Sequence, residues 1–119
     1  MADELKLNFN LRFTKGGASV RVSDNVSVDV TGDAYTAGVQ EIGFAAEEEI
    51  AQGADLGTPG YVVIRNLDAL NYIMVGATTL VYCVRVNAGE FAIFRNNGST
   101  LYAKAVGGNC LIEYFIFEA

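Results

Sequence analysis

The chain contains no histidine and no tryptophan, a single proline, and only two cysteines among its 119 residues. Without histidine there can be no Ser-His or Cys-His catalytic pair and no imidazole-ligated metal site. Cys83 and Cys110 lack the C-x-x-C spacing of a zinc site, so we expect two reduced thiols in apolar strands. Whether they lie side by side on paired strands stays open. The sequence therefore predicts no catalytic residue, no cofactor and no metal.

Positive charge is also scarce. The net charge is −6, and no Lys or Arg occurs between Arg21 and Arg65. Binding of DNA or RNA requires a basic surface that replaces counterions, so we expect no nucleic-acid partner. The acidic stretch between the two arginines is typical of a solvated face, and we favour that interpretation over a docking site for a basic partner.

Long apolar runs are missing as well, since none approaches the ~20 residues that cross a bilayer. The chain opens with acidic and polar residues, and we expect neither a signal peptide nor a membrane partner. Yet 51% of the residues are apolar and only 18% are charged. This balance favours a homo-oligomer or a docked subunit, in which neighbours cover apolar surface.

What the chain does contain is a succession of short apolar runs separated by turn residues. We count nine or ten predicted strands, at intervals of roughly 8–12 residues, which is typical of an all-β sandwich or barrel. Parallel sheets would need long crossover connections, for which there is no room. The sequence predicts one domain over residues 1–119, folded as an antiparallel, jelly-roll-like β-sandwich.

The most regular alternation lies near the N-terminus. Large apolar residues alternate with polar ones over nine positions, which places all of them on one face of a strand. This face either covers the domain's own core, which we favour, or docks on a partner. Under the second hypothesis, residues 1–15 form a partner-docking strand whose interface residues are Leu5, Leu7, Phe9, Leu11 and Phe13.

The stretch Gly60–Gly76 predicts two strands joined by a turn. Asn66, Asp68 and Asn71 lie in the turn, where Asn and Asp accept hydrogen bonds from nearby backbone N–H groups. We interpret them as structural turn residues. A cation site is the alternative, but one carboxylate and two amides supply few of the six to eight oxygens that Ca²⁺ requires.

Other segments carry weaker signals. Asp24-Asn25 predicts a hairpin turn between two short strands, and Asn96-Asn97-Gly98 predicts a second hairpin turn. Residues 45–52 could form a two-turn helix, but we favour a strand or loop. The remaining predictions are a turn at Thr31-Gly32-Asp33, a strand from Val39 to Ala45 with a bulge at Gly43, a strand over Thr79–Val86, and a central strand over Cys110–Phe117.

One series of segments resembles a known family. The segments are Gly57-Thr58-Pro59-Gly60-Tyr61, Arg65-Asn66-Leu67-Asp68, Asn71-Tyr72, Gly76, Ala88-Gly89-Glu90, Phe94-Arg95, Leu101-Tyr102-Ala103-Lys104-Ala105, Leu111-Ile112-Glu113-Tyr114 and Phe117-Glu118. In this order they resemble small structural proteins of tailed-bacteriophage virions. The resemblance extends over residues 39–118, and it implies a β-sandwich subunit without catalytic residues.

The resemblance implies a capsid decoration, or cement, protein that binds the major capsid protein or other virion proteins and copies of itself. We expect a trimer that is made in the host cytoplasm and located in the virion. The alternative is a receptor- or glycan-binding module of a head or tail fibre. A small jelly-roll enzyme is a third hypothesis, which the lack of histidine disfavours.

Overall fold

The computed structural model describes residues 4–30, 35–53 and 56–118. The chain divides into two compact units, Met1–Thr31 and Gly32–Ala119. The described residues form ten β-strands and no helix, so the prediction of an all-β chain is confirmed. Whether the two units act as the single predicted domain stays a prediction. The turn predicted at Thr31-Gly32-Asp33 lies outside the described residues.

The first unit is a long β-hairpin. Strand β1 (Leu5–Lys15) pairs with β2 (Ala18–Val28) through eleven uninterrupted antiparallel pairs. Gly16 and Gly17 form the turn with φ angles of 58° and 85°, the left-handed region that glycine enters without steric cost. The turn predicted at Asp24-Asn25 is wrong, because both residues lie inside β2. The antiparallel pairing with β1 continues unbroken through them, and neither residue has the positive φ that a two-residue turn requires.

The second unit is an antiparallel β-sandwich, as predicted, while its jelly-roll character stays a prediction. The first sheet has the strand order β3-β10-β5-β8, and the second has the order β4-β9-β6-β7. The strands of the first sheet are β3 (Tyr35–Ile42), β5 (Pro59–Asn66), β8 (Phe91–Arg95) and β10 (Cys110–Glu118). Those of the second are β4 (Glu48–Glu49), β6 (Tyr72–Gly76), β7 (Val84–Val86) and β9 (Tyr102–Val106).

The core lies between the two sheets and consists mainly of β-branched aliphatic side chains. Alternate residues of each strand point inward, as the two-residue period of a strand requires. Each fully buried Val or Ile contributes about 1.5–3 kcal/mol relative to an exposed one. The fully buried members include Ile42, Ile50, Val62, Ile64, Ile73, Val75, Ile112 and Ile116. Strand β10 lies between β3 and β5, which confirms the predicted central strand.

Several predicted connections differ in the structure. Strands β5 and β6 do not pair with each other, because the segment between them carries the chain from the first sheet to the second. Asn96-Asn97-Gly98 likewise joins β8 to β9 across the layers, so the predicted hairpin turn is wrong. Turn residues supply the required backbone angles, but they do not decide which strands pair.

Two predicted strand boundaries are also wrong. Strand β3 begins at Tyr35 and ends at Ile42, so Gly43 lies beyond it and is no bulge. Of Thr79–Val86 only the last three residues form a strand, because the preceding residues turn back on themselves through a bridge between Thr78 and Val81. Residues 45–52 contain the two-residue strand β4 within a loop, and no helix.

Candidate interaction surfaces

The outer surface of the first sheet is apolar across all four strands. Its strands place side chains in rows, because residues paired across an antiparallel ladder share a face. One row reads Ala37, Phe115, Val63 and Ile93 from β3 to β8. We name this surface the outer apolar face and define it by Tyr35, Ala37, Val39, Tyr61, Val63, Phe91, Ile93, Leu111, Phe115 and Phe117.

Much of the outer apolar face is open to solvent. The side chains of Tyr35, Val39 and Phe91 are 64%, 57% and 66% exposed. The exposed residues adjoin one another across the sheet, whereas scattered single apolar residues are the norm on protein surfaces. A contiguous apolar surface of this kind marks a site of protein–protein interaction.

The outer apolar face contains one ion pair. Arg65 Nη1 donates to Glu113 Oε1 at 2.6 Å, in a row flanked by Val39 and Phe91. While exposed, such an ion pair adds at most about 1 kcal/mol. It nevertheless leaves this row neutral, whereas Glu41, paired with Leu111, and Arg95, paired with Tyr61, place further charges at the margins of the same face.

Aromatic contacts stiffen one end of the face, between β3 and β10 and between β5 and β8. The rings of Tyr35 and Phe117 stack with centroids 5.9 Å apart. The guanidinium of Arg95 lies over the ring of Tyr61, 5.2 Å from its centroid. Rings held in this way lose little further freedom when a partner binds, which lowers the entropic cost of association.

The outer surface of the second sheet has a different character. Met74 pairs there with Arg85 on one side and with Lys104 on the other. The Arg85 guanidinium lies 3.6 Å from the centroid of the Tyr72 ring, a cation–π contact. The sandwich is therefore two-sided, with an apolar outer surface on the first sheet and, on the second, one that mixes the cations Arg85 and Lys104 with Met74 and Tyr72.

The hairpin carries a second exposed apolar surface. Cross-strand pairing puts the predicted interface residues Leu5, Leu7, Phe9, Leu11 and Phe13 on one face of the hairpin. Leu5 is buried and Leu7 is half-buried, but Phe9, Leu11 and Phe13 are 51%, 50% and 48% exposed. Whether this strand covers the chain's own core or docks on a partner therefore stays open.

The segment from Asn66 to Asn71 is a corner stabilised by side-chain hydrogen bonds. Asn66 Oδ1 accepts from the N–H of Asp68 at 2.9 Å. Asp68 Oδ2 in turn accepts from the N–H groups of Asn71 at 2.7 Å and Leu70 at 2.9 Å. These backbone donors, that of Asn71 first, hold the pKa of Asp68 below its ordinary value. The polar groups of this corner are thus largely occupied by the chain itself.

The loop after β6 is fixed by Glu47, whose role the sequence did not reveal. Glu47 Oε1 accepts from the Leu80 N–H at 2.6 Å and from the Tyr82 hydroxyl at 2.5 Å. Leu80 has a φ of 63°, which an L-residue seldom adopts, and its side chain is 74% exposed. Loss of hydration, together with the Glu47 carboxylate, raises the pKa of Tyr82 to about 12.

A cleft of about 390 Å³ opens at one end of the sandwich. Its lining includes Cys83, Phe94, Arg95, Asn97 and Ser99. Cys83 is exposed and lies outside any strand, contrary to expectation, while Cys110 is buried in β10. Both thiols are free, and burial raises the pKa of Cys110.

Within residues 4–30, 35–53 and 56–118, no three Cys, Asp or Glu side chains are grouped as metal ligands would be. The same residues include no helix that is long and apolar enough to cross a membrane. Comparison with protein-family models, with curated proteins and with solved structures found no match.

Proposed function

We propose that this chain is a structural subunit of a bacteriophage particle and that its outer apolar face binds neighbouring protein subunits. The observation that carries the proposal is the row structure of this face, in which apolar side chains from four strands adjoin and the central charges are paired. The particle itself is suggested by the sequence resemblance of residues 39–118 to virion proteins.

Within that class, a capsid decoration protein is the more specific proposal. Such a subunit stabilises a shell by bridging capsomers, which requires a rigid scaffold and an adhesive surface, not a reactive cleft. A sandwich with one apolar outer surface and one that carries cations fits this requirement, because it attaches by one side and faces solvent with the other. Its partners would be the major capsid protein and copies of itself.

Binding to particles that lack this chain tests the proposal. Purified chain is added to such particles, and the bound copies and the temperature of shell disruption are measured. We expect wild-type chain to bind and to raise that temperature. Ile93→Lys places a charge in the middle of the outer apolar face, and we expect roughly tenfold weaker binding, since burying an unpaired charge costs more than 1.4 kcal/mol.

The control for this experiment is Val81→Lys, which introduces the same charge at a loop position that is 61% exposed. It should bind as the wild type does. Equal binding by Ile93→Lys and the wild type would refute the assignment of the face. Absence of the chain from purified virions would refute the virion assignment, whatever the face binds.

A receptor- or glycan-binding module of a fibre is the second candidate, and the cleft at the end of the sandwich favours it. Phe94 offers an apolar surface there beside the polar groups of Arg95, Asn97 and Ser99, a combination that suits sugars. A glycan array would show binding that Asn97→Ala weakens. Failure of the array together with shell binding would leave the first proposal alone.

A further inference from the structure

One face of the hairpin of β1 and β2 carries mostly apolar side chains. Six of its cross-strand pairs point to this face: Leu5–Val28, Leu7–Val26, Phe9–Asp24, Leu11–Val22, Phe13–Val20 and, beside the turn, Lys15–Ala18. All the Leu and Phe residues belong to β1, and all the valines belong to β2. The face therefore consists of a column of large side chains beside a column of small ones. We call it the hairpin face.

The hairpin face is exposed over most of its length. Besides Phe9, Leu11 and Phe13, the side chains of Val20, Val22 and Val26 are 45%, 44% and 46% exposed. An isolated two-stranded hairpin is at best marginally stable in water. A hairpin of eleven pairs therefore gains much of its stability from whatever covers this face.

The available area is that of an interface between two protein chains. Six side chains of this size, each about half exposed, present roughly 500 Å² of apolar surface. A standard interface buries roughly 800 Å² per partner, of which somewhat more than half is apolar. One hairpin face thus supplies the apolar part of such an interface without help from the sandwich.

We infer that the hairpins of two or more copies of this chain pack by their hairpin faces, with parallel strands and all turns at the same end. In this arrangement β1 of one copy lies over β2 of the next. The large column of each copy then fills the space left by the small column of its neighbour. Identical ribbons have the same twist, so they stack over their full length as the sheets of a sandwich do.

Asp24 distinguishes this arrangement from the opposite one. It pairs with Phe9 in the third of the five rows that contain Leu, Phe or Val, while the other charged residue of the face, Lys15, lies beside the turn. With parallel strands, Asp24 of one copy meets the Phe9 ring of the next, whose edge carries partial positive charge. If the copies were turned end for end with their five apolar rows overlapping fully, Asp24 would face Asp24, and burying two like charges together is costly.

The inference specifies which surface and which orientation would mediate self-association, and it rests on the proposed function only for its biological setting. The experiment therefore uses the isolated full chain, and its oligomeric state is measured by light scattering and sedimentation at micromolar concentration. We expect a dimer or a higher oligomer. Leu11→Lys should weaken association by at least roughly tenfold, because a lysine is then buried in an apolar contact. The control Asn10→Lys, on the opposite face of the same strand, should leave it unchanged.

Cross-linking keeps the test independent of whether Leu11→Lys folds. Leu11→Cys and Val22→Cys chains, each also carrying Cys83→Ser, are mixed and oxidised. The inference expects the mixed 11–22 product to exceed both homodimeric products. A wild-type chain that is monomeric, or a dominant 11–11 product, would overturn it. If the chain self-associates but does not bind particles, the proposed function is refuted and this inference stands. If the chain binds particles but remains monomeric by itself, this inference is refuted and the proposed function stands.

Discussion

The side-chain amide of Asn66 ties the two sheets together. Asn66 ends β5 in the first sheet, and its Nδ2 donates to the carbonyl oxygen of Val86, at the end of β7 in the second, at 3.1 Å. The same nitrogen donates to the Asn71 carbonyl at 3.0 Å. Asn66 is 2% exposed, so water cannot replace these bonds.

Replacement of Asn66 should therefore destabilise the sandwich. Asn66→Ala leaves two carbonyl groups without their donor, and we expect the free energy of unfolding in urea to fall by about 2–3 kcal/mol. Asn66→Asp should cost more, because a buried carboxylate cannot donate and repels both carbonyls. Asn97→Ala, at an exposed position, serves as the control and should stay within about 0.5 kcal/mol of wild type. An Asn66→Ala protein of wild-type stability would contradict the role assigned to this amide.

Gly76 should tolerate no side chain. A Cβ at this position would overlap the carbonyl oxygen of Val81, which lies in the loop that folds back on β6. Overpacking of this kind costs about 1–3 kcal/mol or more, since backbone has to move. We expect Gly76→Ala to lower the melting temperature clearly.

Gly38 provides the matched comparison for Gly76. A Cβ there would meet the Tyr114 ring at ordinary contact distances, the nearest atom being 3.7 Å away. Gly38→Ala should be neutral or slightly stabilising, because it reduces the freedom of the unfolded chain. If Gly76→Ala and Gly38→Ala lower the melting temperature equally, overlap with the Val81 carbonyl is not the cause of the destabilisation.

Tyr82 should titrate late. Its pKa is raised to about 12 by loss of hydration and by the Glu47 carboxylate. The folded state therefore binds the phenolic proton more tightly than the unfolded chain, whose value is about 10. The resulting stability is complete below about pH 10 and is lost as the pH rises towards 12.

Tyrosinate absorbance during an alkaline titration measures this effect. Tyr82→Phe should remove the last-titrating tyrosine, and Glu47→Gln should shift it to lower pH. A Tyr102→Phe variant controls for the loss of any one phenol. A wild-type titration in which every tyrosine ionises near pH 10 would contradict the prediction.

Asp68 should make the sandwich sensitive to acid. Backbone N–H donors hold its pKa below the ordinary value, so its contribution to stability is present above about pH 4 and is lost as the pH falls through the lowered value. The difference in unfolding free energy between wild type and Asp68→Ala should thus be constant near neutrality and should shrink in acid. Glu41→Gln, on an exposed strand position, is the control. If the difference in unfolding free energy between wild type and Asp68→Ala persists at the lowest pH, the backbone hydrogen bonds to the Asp68 carboxylate are not its source.

The sequence predicted where the strands lie better than it predicted which strands pair. Alternation identified β1, and apolar runs bounded by turn residues identified β5, β6 and β10, because both are local properties of extended backbone. Pairing is not local. The Asn97-Gly98 pair signals a hairpin turn, yet β8 and β9 lie in different sheets, since burial of both inner faces outweighs the local preference.

The outer apolar face was likewise hidden from the sequence. Leu111, Phe115 and Phe117 alternate with Ile112, Tyr114 and Ile116, so β10 reads as a continuous apolar run. Such a run indicates a strand that is covered on both sides, but it does not show what covers the second side. The role of Glu47 was hidden for another reason, because its partners Leu80 and Tyr82 follow more than thirty residues later.

The two-sided character of β10 restricts how this chain can vary. Inserting or deleting one residue within Cys110–Glu118 would exchange the two sides of the strand and turn the Glu113 carboxylate into the hydrocarbon interior. Substitutions of one apolar residue for another leave both sides of the strand apolar. Related chains should therefore differ in the identity of these residues and keep their number. The length of this strand should be conserved more strictly than its sequence.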